Sequence, residues 1–155
     1  MAKLNIFKEG DPTLRKVCRE VDVITPRILT LLDDMAETMR AANGCGLAAP
    51  QIGVLRRVVV IETEESGLIE LINPKIVKKS GKQNEVEGCL SIPGKAGITD
   101  RPAKVTVRAL DRNGCEIELT GEDLLARAFC HELDHLDGKL FTDNAIEMLG
   151  PDEVE

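Results

Sequence analysis

The chain has 155 residues, of which 43% are hydrophobic and 30% charged, so it is long enough for one domain with a substantial core and too apolar to be disordered. Its net charge of −7 and its scattered basic residues argue against a nucleic-acid surface, and no apolar run approaches membrane-spanning length. Five unpaired-looking cysteines and an N-terminus without a signal-peptide core favour reduced thiols in the cytoplasm. We expect one domain over residues 1–155, with a short acidic tail from about residue 145.

The first clear element is an amphipathic helix predicted from Pro26 to Ala42. Thr25 is a suitable N-cap, Pro26 suits the first helical position, and Asn43 and Gly44 end the helix. Its apolar residues recur at helical spacing and predict one buried face: Ile28, Leu31, Leu32, Met35 and Met39.

The middle of the chain predicts β-structure. A glycine-rich, apolar segment at residues 44–53 is too poor in polar residues to be an ordinary solvent loop. Alternating or β-branched runs bounded by turn residues then indicate strands, and an Asp-Arg-Asn-Gly turn at 111–114 indicates a hairpin. The strands are predicted at 57–62, 68–73 with an extension through 76–77, 104–110 and 116–119.

The last predicted element is a helix from Thr120 to Leu136. Thr120 and Asp123 form a capping-box pattern at its start. Its apolar surface is wide, which is typical of a buried helix: Leu124, Leu125, Ala128, Phe129 and Leu136. The order of elements favours an α+β fold, with antiparallel or mixed β-sheets wrapped around this buried C-terminal helix and with an N-terminal helix.

The only two histidines flank a glutamate in the string His131-Glu-Leu-Asp-His135. On a helix, four residues place both imidazoles on one face, about 6 Å apart along the axis, where they can bind one metal ion. Glu132 could then reach a water on that ion as a general base. The alternative is that two core-facing histidines flank a glutamate by chance. The buried helix favours metal binding, because buried His and Glu side chains need partners.

Since no third histidine exists, a third protein ligand has to be Cys, Asp or Glu. A metzincin-type extension would place a ligand at Phe141, which cannot bind metal. A glutamate-type zinc protease usually takes its third ligand from a separate helix well downstream, but only twenty residues follow His135. The ligand is therefore expected upstream. Cys89 has the most indicative setting, between Gly88 and the stiffening Pro93. Cys130 lies about 100° around the helix from its histidine neighbour, so we expect it to pack away from the metal.

Three strings together resemble the motifs of the bacterial-type peptide deformylase family. They are GCGLAAPQ at residues 44–51, EGCLS at 87–91 and HELDH at 131–135, in the family's order and at similar spacing. The resemblance covers almost the whole chain. It implies a single catalytic domain and a metal-dependent amide hydrolase, which removes the N-formyl group from the formylmethionine of nascent polypeptides and releases formate.

The resemblance also implies the metal site. It assigns Cys89, His131 and His135 as ligands of one divalent ion, with water in the fourth position. Fe²⁺ is the expected native ion, and Zn²⁺, Ni²⁺ or Co²⁺ are expected to substitute, because a Cys-His-His set suits several metals.

The same resemblance implies the catalytic roles. It makes Glu132 the proton acceptor and later donor. It makes the Gln51 side-chain amide and the backbone N–H of Leu90 the donors to the oxyanion that forms when the formyl carbon is attacked. The backbone carbonyl of Gly46 is expected to accept from the formamide N–H.

A pocket for the methionine side chain is expected beside the metal. Ala128, Arg127 and Leu124 lie one and two turns before the first histidine on its own face, and Cys45 comes from the first motif. We expect these four to line the pocket, with Arg127 contributing its methylene stem and keeping its charge outward. The alternative is that they are ordinary core residues, and for Cys45 a small apolar filler.

Two features depart from the family pattern. Most members have Gln where this chain has Cys130, which changes a neighbour rather than a ligand. Better-known bacterial members also continue into a basic C-terminal helix that docks on the ribosome, whereas this chain ends with GPDEVE. We therefore expect at most transient ribosome proximity, with formylated nascent chains still the substrate.

Two other functions remain open from the residues. The first is a peptidase or another amide hydrolase that uses the same metal and base. The second is a metal-binding domain without catalysis. Glu132 argues against the second, since metal binding alone does not require its carboxylate.

Overall fold

The computed structural model describes residues 3–149, and within them the chain forms two α-helices and eight strands. Three short 3-10 helices, at Pro12–Arg15, Ala49–Ile52 and Phe141–Asp143, connect them. The helices are α1 (Pro26–Ala41) and α2 (Leu124–Leu136), and the strands are β1 (Gly46–Ala48), β2 (Val58–Thr63), β3 (Gly67–Ser80), β4 (Gln83–Cys89), β5 (Ile92–Arg101), β6 (Lys104–Leu110), β7 (Glu116–Glu122) and β8 (Ala145–Leu149). None of the described helices is long and apolar enough to cross a membrane.

The strands form two sheets. The larger has the order β1-β2-β3-β6-β7 and the smaller the order β4-β5-β8. Neighbouring strands are antiparallel throughout both sheets. The predicted α+β class is therefore confirmed, and the sheets are antiparallel rather than mixed.

The larger sheet is covered on both faces near its β1 edge. Strand β2 begins with four buried apolar residues in succession, because successive side chains point to opposite faces and both faces are packed. Val59 and Ile61 belong to the core that surrounds α2, whereas Val58 and Val60 belong to the core under α1. Within α2, Phe129 and Leu136 are fully buried, as the wide apolar surface predicted.

Helix α2 begins four residues later than the predicted Thr120. Strand β7 continues to Glu122, so Thr120 pairs with Thr106 of β6, and the two hydroxyls lie 2.8 Å apart. Asp123 then turns the chain with a φ of 52° and makes no side-chain cap hydrogen bond. The capping-box prediction was wrong, because sheet pairing uses the residues that a cap would need.

The prediction of a tail from about residue 145 does not hold for its first five residues. Residues 145–149 form strand β8, which pairs with β5, and residues 150–155 lie outside the described residues. Strands β4 and β5 were not predicted, because their glycines and charged residues break the apolar alternation. The predicted extension of β3 was right and continues to Ser80, with register shifts on both sides of Lys75 and Ile76.

Replacing Phe129 by alanine tests the role of α2 as the centre of the core. The ring is fully buried, so we expect Phe129→Ala to lower the free energy of unfolding by about 3–5 kcal/mol. Denaturant unfolding measures this. Val23→Ala is the control: its side chain is 71% exposed, and a change within about 0.5 kcal/mol is expected. Equal losses in both variants would contradict the assignment.

Candidate active site

Helix α2 and the end of strand β4 bring three metal-ligating side chains together. His131 and His135 lie one turn apart on α2, and their ring centroids are 5.0 Å apart. Cys89 ends β4 at a register shift, and its Sγ lies 3.4 Å from Nε2 of His135. One ligand atom from each of the three residues lies within 4.8 Å of the other two. A thiolate and two imidazoles at this separation fit a divalent transition metal ion.

The orientation of His131 is set by a buried glutamate. Oε2 of Glu87 lies 2.5 Å from Nδ1 of His131. With Nδ1–H donating to the carboxylate, Nε2 keeps its lone pair for a metal. Burial would raise the pKa of Glu87, but hydrogen bonds from His131 and Arg101 outweigh it and hold that pKa at about 2. The carboxylate is therefore ionised and able to accept.

Glu87 lies in the EGCLS string, but its sequence did not predict a role for it. Alternate residues of a strand share a face, so a strand ending at Cys89 places Glu87 on the same side as the thiol. That signal was not usable, because β4 was not predicted as a strand.

The carboxylate of Glu132 lies beside the three candidate ligands but is not one of that group. Its Oε2 is 4.0 Å from Nε2 of His131, and its Oε1 has no hydrogen-bond partner in the described residues. Burial raises the pKa of Glu132 to about 7. A buried carboxylate with a free oxygen is suited to accepting a proton near neutral pH.

Gln51 is held beside Cys89 by hydrogen bonds of its side-chain amide. It lies on the 3-10 helix and is buried; its Oε1 accepts from the backbone N–H of Ala48 at 2.9 Å. Its Nε2 lies 3.0 Å from Oγ of Ser91 and 3.7 Å from Sγ of Cys89. The amide donor therefore faces the thiol, and Leu90 follows that thiol in the chain.

These groups border a cavity of about 330 Å³. Ten of the eleven predicted site residues line it, and His135 is not among the lining residues. The ten are Cys45, Gly46, Gln51, Cys89, Leu90, Leu124, Arg127, Ala128, His131 and Glu132. Val86, on β4, also lines it, although sequence reasoning missed this residue. Arg127 donates to Oε1 of Gln83 at 2.8 Å, so its charge is directed toward the start of β4. Cys130 lies in the core, as its position on the helix predicted.

Comparison with known proteins assigns the chain to a family. A family model described as polypeptide deformylase matches residues 3–149. The chain belongs to the polypeptide deformylase family. A peptide deformylase of Acetivibrio thermocellus is 61% identical over 155 residues, which is 100% of this chain and 91% of that protein. Peptide deformylase 1 of Clostridium acetobutylicum is 54% identical, over 97% of this chain and 99% of that protein.

Solved deformylases share the fold. The crystal structure from Legionella pneumophila has a TM-score of 0.89 and 45% identity, and covers 92% of this chain and 85% of its own. The structure from Synechococcus elongatus, in complex with actinonin, has a TM-score of 0.88 and 39% identity, with coverages of 92% and 80%. The predicted family, fold class and enzyme class are confirmed: this deformylase is a metal-dependent hydrolase that acts on formylated nascent peptides.

The contact between Gly46 and Glu132 provides a test of the site. A Cβ on Gly46 would lie 2.5 Å from Oε2 of Glu132, so Gly46→Ala should displace the carboxylate. We expect formate release to fall about 10²-fold, the cost of a displacement of about 1 Å in a catalytic group. Metal content is expected to stay the same.

Gly88→Ala is the control for this prediction. Gly88 also lines the cavity, but a Cβ there would meet only the carbonyl oxygen of Lys95, at 3.7 Å. A much smaller loss is therefore expected. If both variants lose formate release to the same extent, displacement of Glu132 is not the cause of the loss in Gly46→Ala.

Proposed function

We propose that this deformylase hydrolyses N-formylmethionyl peptides at a single divalent ion held by Cys89, His131 and His135. The observation that carries the proposal is the convergence of these three ligand atoms, within 4.8 Å of one another, beside the unpaired carboxylate oxygen of Glu132. Fe²⁺ is proposed as the native ion, because the family resemblance implies it. Zn²⁺, Ni²⁺ or Co²⁺ would fit the same mixed donor set.

Glu132 is the proposed acid and base of the reaction. A bound divalent ion supplies Lewis acidity, which lowers the pKa of water and polarises a carbonyl group. Glu132 takes the proton of the attacking water and returns it to the leaving amine, so that formate and a free N-terminus are released. One carboxyl group can serve both transfers, because Oε1 of Glu132 has no hydrogen-bond partner among the described residues and is free to take and release the proton.

The oxyanion that develops on the formyl oxygen needs donors fixed in advance. Gln51 is suited to this role, because its Oε1 is already bound to the backbone of Ala48 while its Nε2 faces the thiol of Cys89. The backbone N–H of Leu90 is the proposed second donor. Gly46 is proposed to accept from the formamide N–H through its carbonyl, since β1 is an edge strand of the larger sheet beside the cavity.

The methionine side chain is proposed to occupy the part of the cavity bounded by Cys45, Leu124, Arg127 and Ala128. Leu124 is 45% exposed, which is unusual for a large apolar side chain on an otherwise buried helix, and Val86 is exposed on the neighbouring strand. Apolar groups that line a concave site can be covered by an apolar ligand. The contact of Arg127 with Gln83 leaves its methylene stem to form part of the wall.

The setting of the reaction is also proposed. We take residues 1–155 as one catalytic domain that acts in the cytoplasm on chains emerging from the ribosome, with transient ribosome proximity. The cysteines support a reducing compartment, since all five are free in the structure.

Replacing Glu132 by alanine tests the proposed chemistry. We expect formate release from formyl-Met-Ala to fall by about 10²–10⁴, the usual contribution of a positioned acid or base. Bound metal, measured by elemental analysis, should be retained, because Glu132 is not a proposed ligand. Undiminished turnover would remove Glu132 from the mechanism, and loss of the metal would make it a ligand instead.

Substrate choice separates a deformylase from a peptidase with the same metal and base. We expect wild-type protein to release formate from formyl-Met-Ala and to leave the Met-Ala bond of the unblocked dipeptide intact. The two products are assayed in parallel, as formate and as free alanine. Cleavage of the unblocked peptide without formate release would establish the peptidase instead.

Air sensitivity tests the proposed native metal. If Fe²⁺ is held by the Cys89 thiolate, activity should decay in air, and Ni²⁺ or Co²⁺ substitution should slow the decay, because oxidation of the iron exposes the ligand sulfur to attack. Timed formate assays on anaerobically purified protein, reloaded with each ion, measure this. The same decay rate with every ion would argue against iron.

A further inference from the structure

Strand β4 contacts helix α2 through three polar pairs along their length. Arg127 donates to Gln83 at 2.8 Å, Glu87 lies 2.5 Å from His131, and Cys89 lies 3.4 Å from His135. The helix residues are four apart and the strand residues are separated by even numbers. Each set therefore lies on one face of its element. These contacts align β4, which carries Cys89, with α2, which carries His131 and His135.

A buried arginine on the neighbouring strand joins this alignment. Arg101 ends β5 and is only 5% exposed. Its Nη2 donates to Oε2 of Glu87 at 2.8 Å and its Nε donates to Oε1 at 3.2 Å. Its Nη1 donates to Oδ2 of Asp134 on α2 at 2.7 Å. One guanidinium therefore connects β4, β5 and α2.

These contacts leave Glu87 little freedom. Oε1 accepts from Thr99 at 2.9 Å and from Arg101, while Oε2 accepts from Arg101 and from His131. A planar guanidinium bound to a carboxylate at two points fixes the plane of that carboxylate. The position of the His131 ring therefore depends on Arg101, and the position of Arg101 depends on Asp134.

We propose that Arg101 and Asp134 are positioning residues, which hold β4 against α2 and so preform the Cys89-His131-His135 ligand set. The inference rests on the metal site of the proposed function. It gives a role to Asp134, which lies inside the HELDH motif but is neither a ligand nor a lining residue of the cavity. Its role is metal retention rather than contact with substrate.

The expected consequence is weaker metal binding when Asp134 is lost. Groups that orient a ligating histidine typically contribute 10–100-fold to metal affinity. Asp134 acts two contacts further away than Glu87, through Arg101, so for Asp134→Asn we expect a rise at the low end of this range, about 10-fold, in the Kd for Co²⁺. The asparagine keeps the shape of the side chain and removes its charge, so its amide oxygen can offer Arg101 only a weaker, neutral hydrogen bond in place of the ion pair.

The chain offers a matched control in Asp33→Asn. Arg112 binds Asp33 on α1 at 2.8 Å and Glu70 on β3 at 2.6 Å, as Arg101 binds Asp134 on α2 and Glu87 on β4. Each substitution neutralises the aspartate on the helix, while the same arginine stays bound to the glutamate on the strand. Asp33 is not among the residues that line the cavity, so its loss should leave the Kd for Co²⁺ unchanged.

The experiment titrates metal-free, full-length protein with Co²⁺ against a chelator of known affinity, and records the thiolate-to-cobalt absorption. Asp134→Asn should show the weaker affinity and a shifted absorption band, and Asp33→Asn neither. Denaturant unfolding of the metal-free variants is measured alongside. If Asp134→Asn lowers stability but leaves the Kd and the spectrum as in wild type, the pair is merely structural and the proposal is overturned.

Arg101→Lys supplies a second test, because lysine keeps the charge but cannot bind Glu87 and Asp134 through a planar fork. We expect its Kd to rise at least as much as that of Asp134→Asn, and a wild-type value would overturn the proposal. Neither measurement uses the formate assay. If the Kd values change as expected but the wild-type protein releases no formate, the proposed reaction is wrong and the positioning role still stands.

Discussion

Helix α2 has to bury two histidines and a glutamate in the same interior that Phe129 and Leu136 fill. Buried polar groups cost free energy unless they find partners, so the helix needs a polar neighbour on one side and an apolar neighbour on the other. The larger sheet supplies the apolar side. Strand β4 supplies the polar side through Glu87 and Cys89, and this requirement places the smaller sheet against the helix.

The cavity follows from that placement. It lies between β1, an edge of the larger sheet, and β4, an edge of the smaller one, with α2 as its floor. Gly46 comes from β1 and Gln51 from the 3-10 helix that follows it, Cys89 ends β4 and Leu90 follows it, and Glu132 comes from the floor. The candidate groups that line the cavity are thereby carried by different elements, which face one another across it.

Most of the fold was predictable where local pattern and tertiary packing agree. Helix α1 and strands β2 and β6 lie within a residue or two of their predicted positions, because their apolar periodicity matches the faces they bury. The prediction was wrong at Thr120, where a good capping sequence is used as strand instead. Strands β4 and β5 were missed because their burial depends on polar residues, such as Glu87 and Arg101, whose partners lie far along the chain.

For the site, the sequence alone determined which side chains could carry the proposed chemistry. The spacing of His131, Glu132 and His135 on a helix predicts a metal and a base. The local motifs identify Cys89 and Gln51 through their resemblance to the family. Only the tertiary structure decided that Glu87 orients His131, and that Arg101 binds both Glu87 and Asp134. Spacing along a helix is a property of the helix itself, whereas contacts between buried charges on separate elements exist only once the sheets have packed.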